Sequence, residues 1–142
     1  MLEGFENAFT DAQANVVSLC LELLEKSNKS ADKVYIYLFQ NDVQDFINAF
    51  FEKDGKIYIL NDWFTDEQID EFFDCGVENI EQIIEVCNTY EGECPNVFKL
   101  IYNVNTKKLD TDYLYEDIIS NGDSGLVEEY EKWKEECKSK LS

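Results

Sequence analysis

Three short apolar runs follow one another between Lys33 and Leu60, and the second and third are joined by Asp54-Gly55. An Asp-Gly pair between strand-like runs marks a two-residue hairpin, because a type I′ turn needs positive φ at both central positions. Lys33–Phe39 (KVYIYLF) is β-branched, aromatic and aliphatic almost throughout, the composition of a pleated, packed surface. Asp45–Glu52 sets Phe46, Asn48 and Phe50 on one face and Ile47, Ala49 and Phe51 on the other. Lys56–Leu60 follows the turn. Short runs joined by tight turns dictate antiparallel strands, and large apolar groups on both faces require helices over at least one of them.

Helical periodicity frames these strands. Phe5, Phe9, Ala12, Val16, Leu19, Cys20 and Leu23 recur in steps of three and four, one stripe of a helix that ends near Lys26. After the third strand, Thr65 followed by Gln68 has the spacing of a capping box. Ile69, Phe72 and Phe73 then face inward. Gly76 is expected to break this helix, with a second segment restarting near Val77 on Ile80, Ile83, Ile84 and Cys87. Pro95 stops the run. Val97–Thr106 and Lys108–Tyr115 read as a second strand pair that joins the first sheet, with Asp110 and Asp112 on one strand face. Ser120–Gly125 reads as a loop, and Leu126, Tyr130, Trp133, Cys137 and Leu141 form the stripe of a last helix. The order α-β-β-β-α-β-β-α predicts an α+β fold, one domain over residues 1–142, with an antiparallel sheet covered by helices.

Charge narrows the function classes. There are 31 acids against 12 lysines, with neither arginine nor histidine, for a net charge of −19. Direct nucleic-acid or anionic-membrane partners are disfavoured, since those are bound by neutralising phosphates with cations. A basic protein partner, metal cations, or solubility alone fit the balance. The five cysteines lack Cys-x-x-Cys spacing, the N-terminal residues lack the basic and apolar regions of a signal peptide, and no apolar run has membrane-spanning length. A cytoplasmic protein with reduced thiols is the expectation; oligomeric state stays open.

Catalysis finds little support. Without histidine there is no Ser-His-Asp or Cys-His arrangement, and no glycine-rich phosphate loop is present. Asp62, Asp66, Asp70 and Asp74 recur every fourth residue, but the EF-hand pattern is absent and such spacing makes a solvated helix face. Asp110 and Asp112 would hold a hard cation only weakly. The expectation is a non-enzyme without cofactor or metal.

A recognition surface is the most productive reading. Between Lys56 and Lys99 stand eleven acids and no lysine. A block of one sign costs stability through self-repulsion and so invites a reason. The candidate contact residues are Asp62, Asp66, Glu67, Asp70, Glu71, Asp74, Glu78, Glu81 and Glu85, with Trp63 as an aromatic anchor and Asp110 and Asp112 as second choice. The competing reading makes Trp63 and Phe64 core and the acids solubilising.

The stretch Phe98–Asp117 (FKLIYNVNTKKLDTDYLYED) is similar to the C-terminal segment of the YezG-like immunity proteins, which include the EsaG-type antitoxins. The resemblance lies in Tyr102-Asn103, the turn to Lys108, Leu109-Asp110 and Tyr115-Glu116-Asp117. Tyr35–Phe39, the Asp54-Gly55 hairpin, Trp133 and the element order fit the same pattern, although no arginine precedes Trp133. The resemblance implies a cytosolic immunity protein that neutralises a cognate secreted toxin, often a nuclease, by stoichiometric binding. The runner-up is a small regulatory or ligand-binding protein with a pocket between sheet and helices, and no toxin partner.

Overall fold

β1 (Lys33–Gln40) is the middle strand of the sheet, and its six inner residues are all buried. In the computed structural model, which describes residues 1–121 and 125–141, β1 pairs with β2 (Asp45–Lys53) on one side and β4 (Val97–Asn103) on the other. β3 (Lys56–Ile59) extends the sheet beyond β2, and β5 (Lys108–Leu114) extends it beyond β4. The strand order is β3-β2-β1-β4-β5, antiparallel throughout. The second strand pair thus joins the first sheet, along the side of β1 that the hairpin leaves open.

Period-two alternation along β1 makes two cores. Val34, Ile36 and Leu38, with Ile47, Ala49 and Phe51, face α1 (Phe5–Lys26) and α3 (Asp66–Thr89), where they meet Val16, Cys20, Phe72, Ile80 and Ile83. Tyr35, Tyr37, Phe39 and Phe50 face the other way and meet Tyr130, Trp133 and Cys137 of α5 (Leu126–Ser139). Helices therefore cover both faces. The second core is largely aromatic: Tyr35 stacks on Phe50 at 4.5 Å, and Trp133 meets Phe50 edge-on at 5.3 Å.

The local signals behave as their chemistry requires. Asp54 and Gly55 have φ of 52° and 79°, both positive as a type I′ turn demands. Gln68 N donates to Thr65 Oγ1 at 3.2 Å and Thr65 N donates to Gln68 Oε1 at 2.9 Å, closing the capping box at the start of α3. The long elements follow the expected α-β-β-β-α-β-β-α order, with two one-turn helices added. α2 (Leu60–Trp63) takes Leu60 from the expected third strand, and Asp62 Oδ2 accepts from Ile59 N at 2.8 Å to hold it. α4 (Ile118–Asn121) forms where a loop was expected, and Asp117 Oδ1 accepts from Ser120 N at 3.0 Å. The rest of that predicted loop, residues 122–124, lies outside the described residues. No helix among the described residues is long and apolar enough to cross a membrane.

Gly76 does not break α3, which runs unbroken for 24 residues. Its role is close approach. A Cβ at Gly76 would stand 2.6 Å from Ile47 Cδ1 and 2.7 Å from Ile47 Cγ2, so the missing side chain lets the helix settle onto β2. Gly76→Ala is expected to cost about 1 kcal/mol, because overpacking of about 1–3 kcal/mol outweighs the roughly 1 kcal/mol gained in helix propensity. In an Ile47→Ala background the sign reverses and the same substitution stabilises. Denaturant melts of the four proteins of this cycle test it; equal effects of Gly76→Ala in both backgrounds would sink the close-approach account.

Candidate functional site

α3 is amphipathic along its whole length. Ile69, Phe72, Gly76, Ile80, Ile83 and Cys87 are buried, Phe73, Ile84 and Val86 pack half-buried beside them, and the opposite face points to solvent. Asp66, Glu67, Asp70, Glu71, Asp74, Glu78, Glu81 and Glu85 are all exposed. The ion pairs found among the described residues, Lys132–Glu129 at 3.5 Å and Lys134–Glu131 at 2.7 Å, both lie within α5. The outer face of α3 is thus a row of like charges, with neighbours three and four positions apart.

Position along the helix separates these acids. Asp66 and Glu67 lie in the first turn, where the positive end of the helix dipole favours them. Glu85 stands next to the last turn, where negative charge is disfavoured, and that turn carries no basic residue. The repulsion reaches the sheet. Burial raises the Asp45 carboxyl above the usual carboxylate range, and Glu81 adds to the rise.

The two predicted residues at the entrance have local work to do. Asp62 is exposed yet caps α2 through its bond to Ile59 N. Trp63 is half-buried, stacked on Tyr58 at 4.6 Å and tilted against Phe51 at 5.5 Å, while Phe64 is fully in the core. Trp63 therefore offers part of one ring surface rather than a free side chain.

Asp110 and Asp112 are exposed and lie on the opposite face of the sheet, so the structure does not join them to the α3 row. They border a groove of about 540 Å³ between α5 and the outer face of β1, β4 and β5. Lys33, Lys99, Lys108 and Lys140 line it, together with Tyr35, Ile101, Trp133, Glu136 and Cys137. The sequence reading missed this gathering because its lysines come from three strands and the end of a helix. The available signal was the shared register: Lys33 stands opposite Asn103 in the β1–β4 ladder, and Lys99 opposite Asp112 in the β4–β5 ladder.

The thiols and one buried amide were also illegible. Cys87 and Cys94 act on each other's titration, which pushes the Cys94 thiol up and holds Cys87 down relative to an ordinary cysteine. Gln13, fully buried, donates from Nε2 to Phe9 O at 3.2 Å and accepts from the Tyr113 hydroxyl at 2.8 Å, tying α1 to the edge strand β5. Among the described residues no three cysteines or carboxylates gather as a metal ligand set.

No protein-family model matches the chain, and a search of curated proteins returned no match. The likeness to YezG-like proteins accordingly rests on the quoted residues and the element order alone.

The like-charge row sets two expectations. Asp74→Lys replaces repulsion toward Asp70 and Glu78, each four positions away, by attraction. It should stabilise the fold by about 0.5–1 kcal/mol at low salt, with the gain shrinking as salt screens it. A melting temperature that falls, or a gain indifferent to salt, would contradict this. Asp45→Asn tests the raised carboxyl. A carboxyl whose folded pKa lies above its unfolded value lends stability that is full below the unfolded pKa and is lost as pH rises through the folded one. The variant, fixed in the neutral form, should therefore melt higher than the parent at pH 7, and the difference should vanish by about pH 3. A difference that grows toward acid would overturn the assignment.

Proposed function

We propose that the protein is an immunity protein that binds and neutralises a basic toxin, a nuclease domain by preference, through one-to-one association without turnover. The observation that carries the reading is the solvent-facing acid row of α3, which forms no ion pair among the described residues. Such a row speeds encounter with a basic surface and excludes acidic partners, at a stability cost the fold itself does not require. Nucleases bind phosphate through cations, so an acidic protein competes for the same ground. The resemblance of Phe98–Asp117 and the element order to YezG-like immunity proteins points the same way. Contacts are proposed along Asp66 to Glu85, flanked by Asp62 and the exposed part of Trp63, with the protein acting in the cytoplasm.

The test is recovery of a basic partner from the source cells by the tagged protein at low salt and at about 0.5 M salt, followed by assay of the purified partner. Titration should abolish its nuclease activity at one equivalent. Glu78→Lys/Glu81→Lys/Glu85→Lys should slow association at least tenfold, while circular dichroism stays unchanged. A partner that stays active at saturation removes the immunity reading, and undiminished association of the triple variant removes α3 as the surface.

A further inference from the structure

We propose that the groove beneath α5 is a binding site for a small aromatic anion. It lies on the face of the sheet away from the α3 acids and is independent of the toxin reading.

Size fits the class. The groove holds about 540 Å³, within the roughly 300–1,000 Å³ typical of small-molecule sites. It exists because α5 covers β1 and β2 through Tyr130 and Trp133 and leaves the outer face of β4 and β5 open beside Ile101.

Charge fits as well. Four of the twelve lysines, Lys33, Lys99, Lys108 and Lys140, gather here, although carboxylates outnumber lysines 31 to 12 in the chain. Lys33 and Lys99 are half-buried, and among the described residues neither forms an ion pair. Lys99 faces Asp112 across the β4–β5 ladder without closing on it. Three of the cations act on one point: burial raises the Cys137 thiol, Lys140, Lys99 and Lys33 pull against that rise, and Glu136 adds to it. An anion seated among these lysines is attracted by several cations at once.

The floor supplies the apolar half of the specificity. Tyr35 and Trp133 meet edge-on at 6.1 Å and, only 3% and 6% exposed, close the bottom of the groove, while half-buried Ile101 is its apolar wall. A planar apolar group lies against Ile101 and the exposed ring edges. Asp110, Asp112 and Glu136 line the same groove, where they are acceptors for neutral N–H or O–H groups of a ligand and fix its orientation. They also set the upper limit on ligand charge and size. A polyanion is repelled by them and by a net charge of −19, whereas a small anion reaches the lysines.

The probe is 8-anilinonaphthalene-1-sulfonate, an aromatic anion whose emission rises on leaving water. Fluorescence titration of the intact chain should show one saturable site. Lys33→Gln/Lys99→Gln should weaken it at least tenfold, and Lys33→Arg/Lys99→Arg should restore it to within about threefold of the parent. Lys26→Gln/Lys29→Gln, an equal loss of charge at the end of α1 on the other face of the sheet, should leave it unchanged. Anilinonaphthalene without its sulfonate should bind the parent at least tenfold more weakly. Non-saturable binding, equal loss in both glutamine pairs, or equal affinity for the uncharged probe would overturn the proposal. Melting curves of each variant separate loss of the site from loss of the fold.

Discussion

The structure depends on one strand that is hydrogen-bonded along both edges and buried on both faces. β1 has β2 and β4 as neighbours, so no part of its ladder is open to water. Its six inner side chains, from Val34 to Phe39, alternate between two helix layers. Each such side chain contributes about 1.5–3 kcal/mol on burial, and a shift of one residue would exchange the aliphatic set with the aromatic set. Register is therefore fixed from the centre outward. Asp32, just before β1, secures one end: its carboxylate accepts from Asp54 N at 3.0 Å, its N–H donates to Glu52 O at 2.7 Å, and its carbonyl accepts from Val104 N at 3.0 Å. The first of these bonds holds the Asp32 carboxyl below the usual carboxylate range. One residue thus ties the β2–β3 turn and the end of β4 to the central strand.

A strand with two buried faces divides the molecule, and charge follows the division. The helices on the aliphatic side present α3's acids outward, whereas on the aromatic side lysines of β1, β4, β5 and α5 gather round a groove. Neither arrangement follows from net charge, which is a sum over the whole chain. A protein of −19 is usually pictured as uniformly acidic; here the sheet keeps apart two surfaces of different electrostatic character.

Legibility in the sequence tracked the range of the interaction. The Asp54-Gly55 turn, the Thr65–Gln68 capping box and the stripe of α1 each depend on residues within a few positions of one another, and they form as read. Gly76 misled because local propensity treats glycine as a breaker, while its function is set by Ile47 on another element. The short helices α2 and α4 turned on single carboxylate bonds from Asp62 and Asp117, too slight a signal to outweigh a strand end and a loop. On the surface, the exposure of α3's acids was legible from helical period. The separation of Asp110 and Asp112 from them was not, because it needs the sheet order.

Assigning structural roles to the acids narrows the functional surface further than their number does. Asp32, Asp62 and Asp117 hold turns or helix starts through backbone N–H groups. Asp66 and Glu67 sit at the favourable end of the α3 dipole. Asp110 and Asp112 flank Thr111 on the edge strand β5, and two copies pairing antiparallel about Thr111 would set Asp110 against Asp112. That opposition discourages edge-to-edge association. Asp74, Glu78, Glu81 and Glu85 have no such role: they repel one another, and Glu85, beside the last turn, also opposes the helix dipole. Glu81 adds to the cost of charging Asp45 on the sheet. Solubility alone would be served as well by acids spread over the surface with lysines between them, which would remove the repulsion. A row of unrelieved charge along the outer face of one helix is the pattern expected when the relieving cations belong to another molecule.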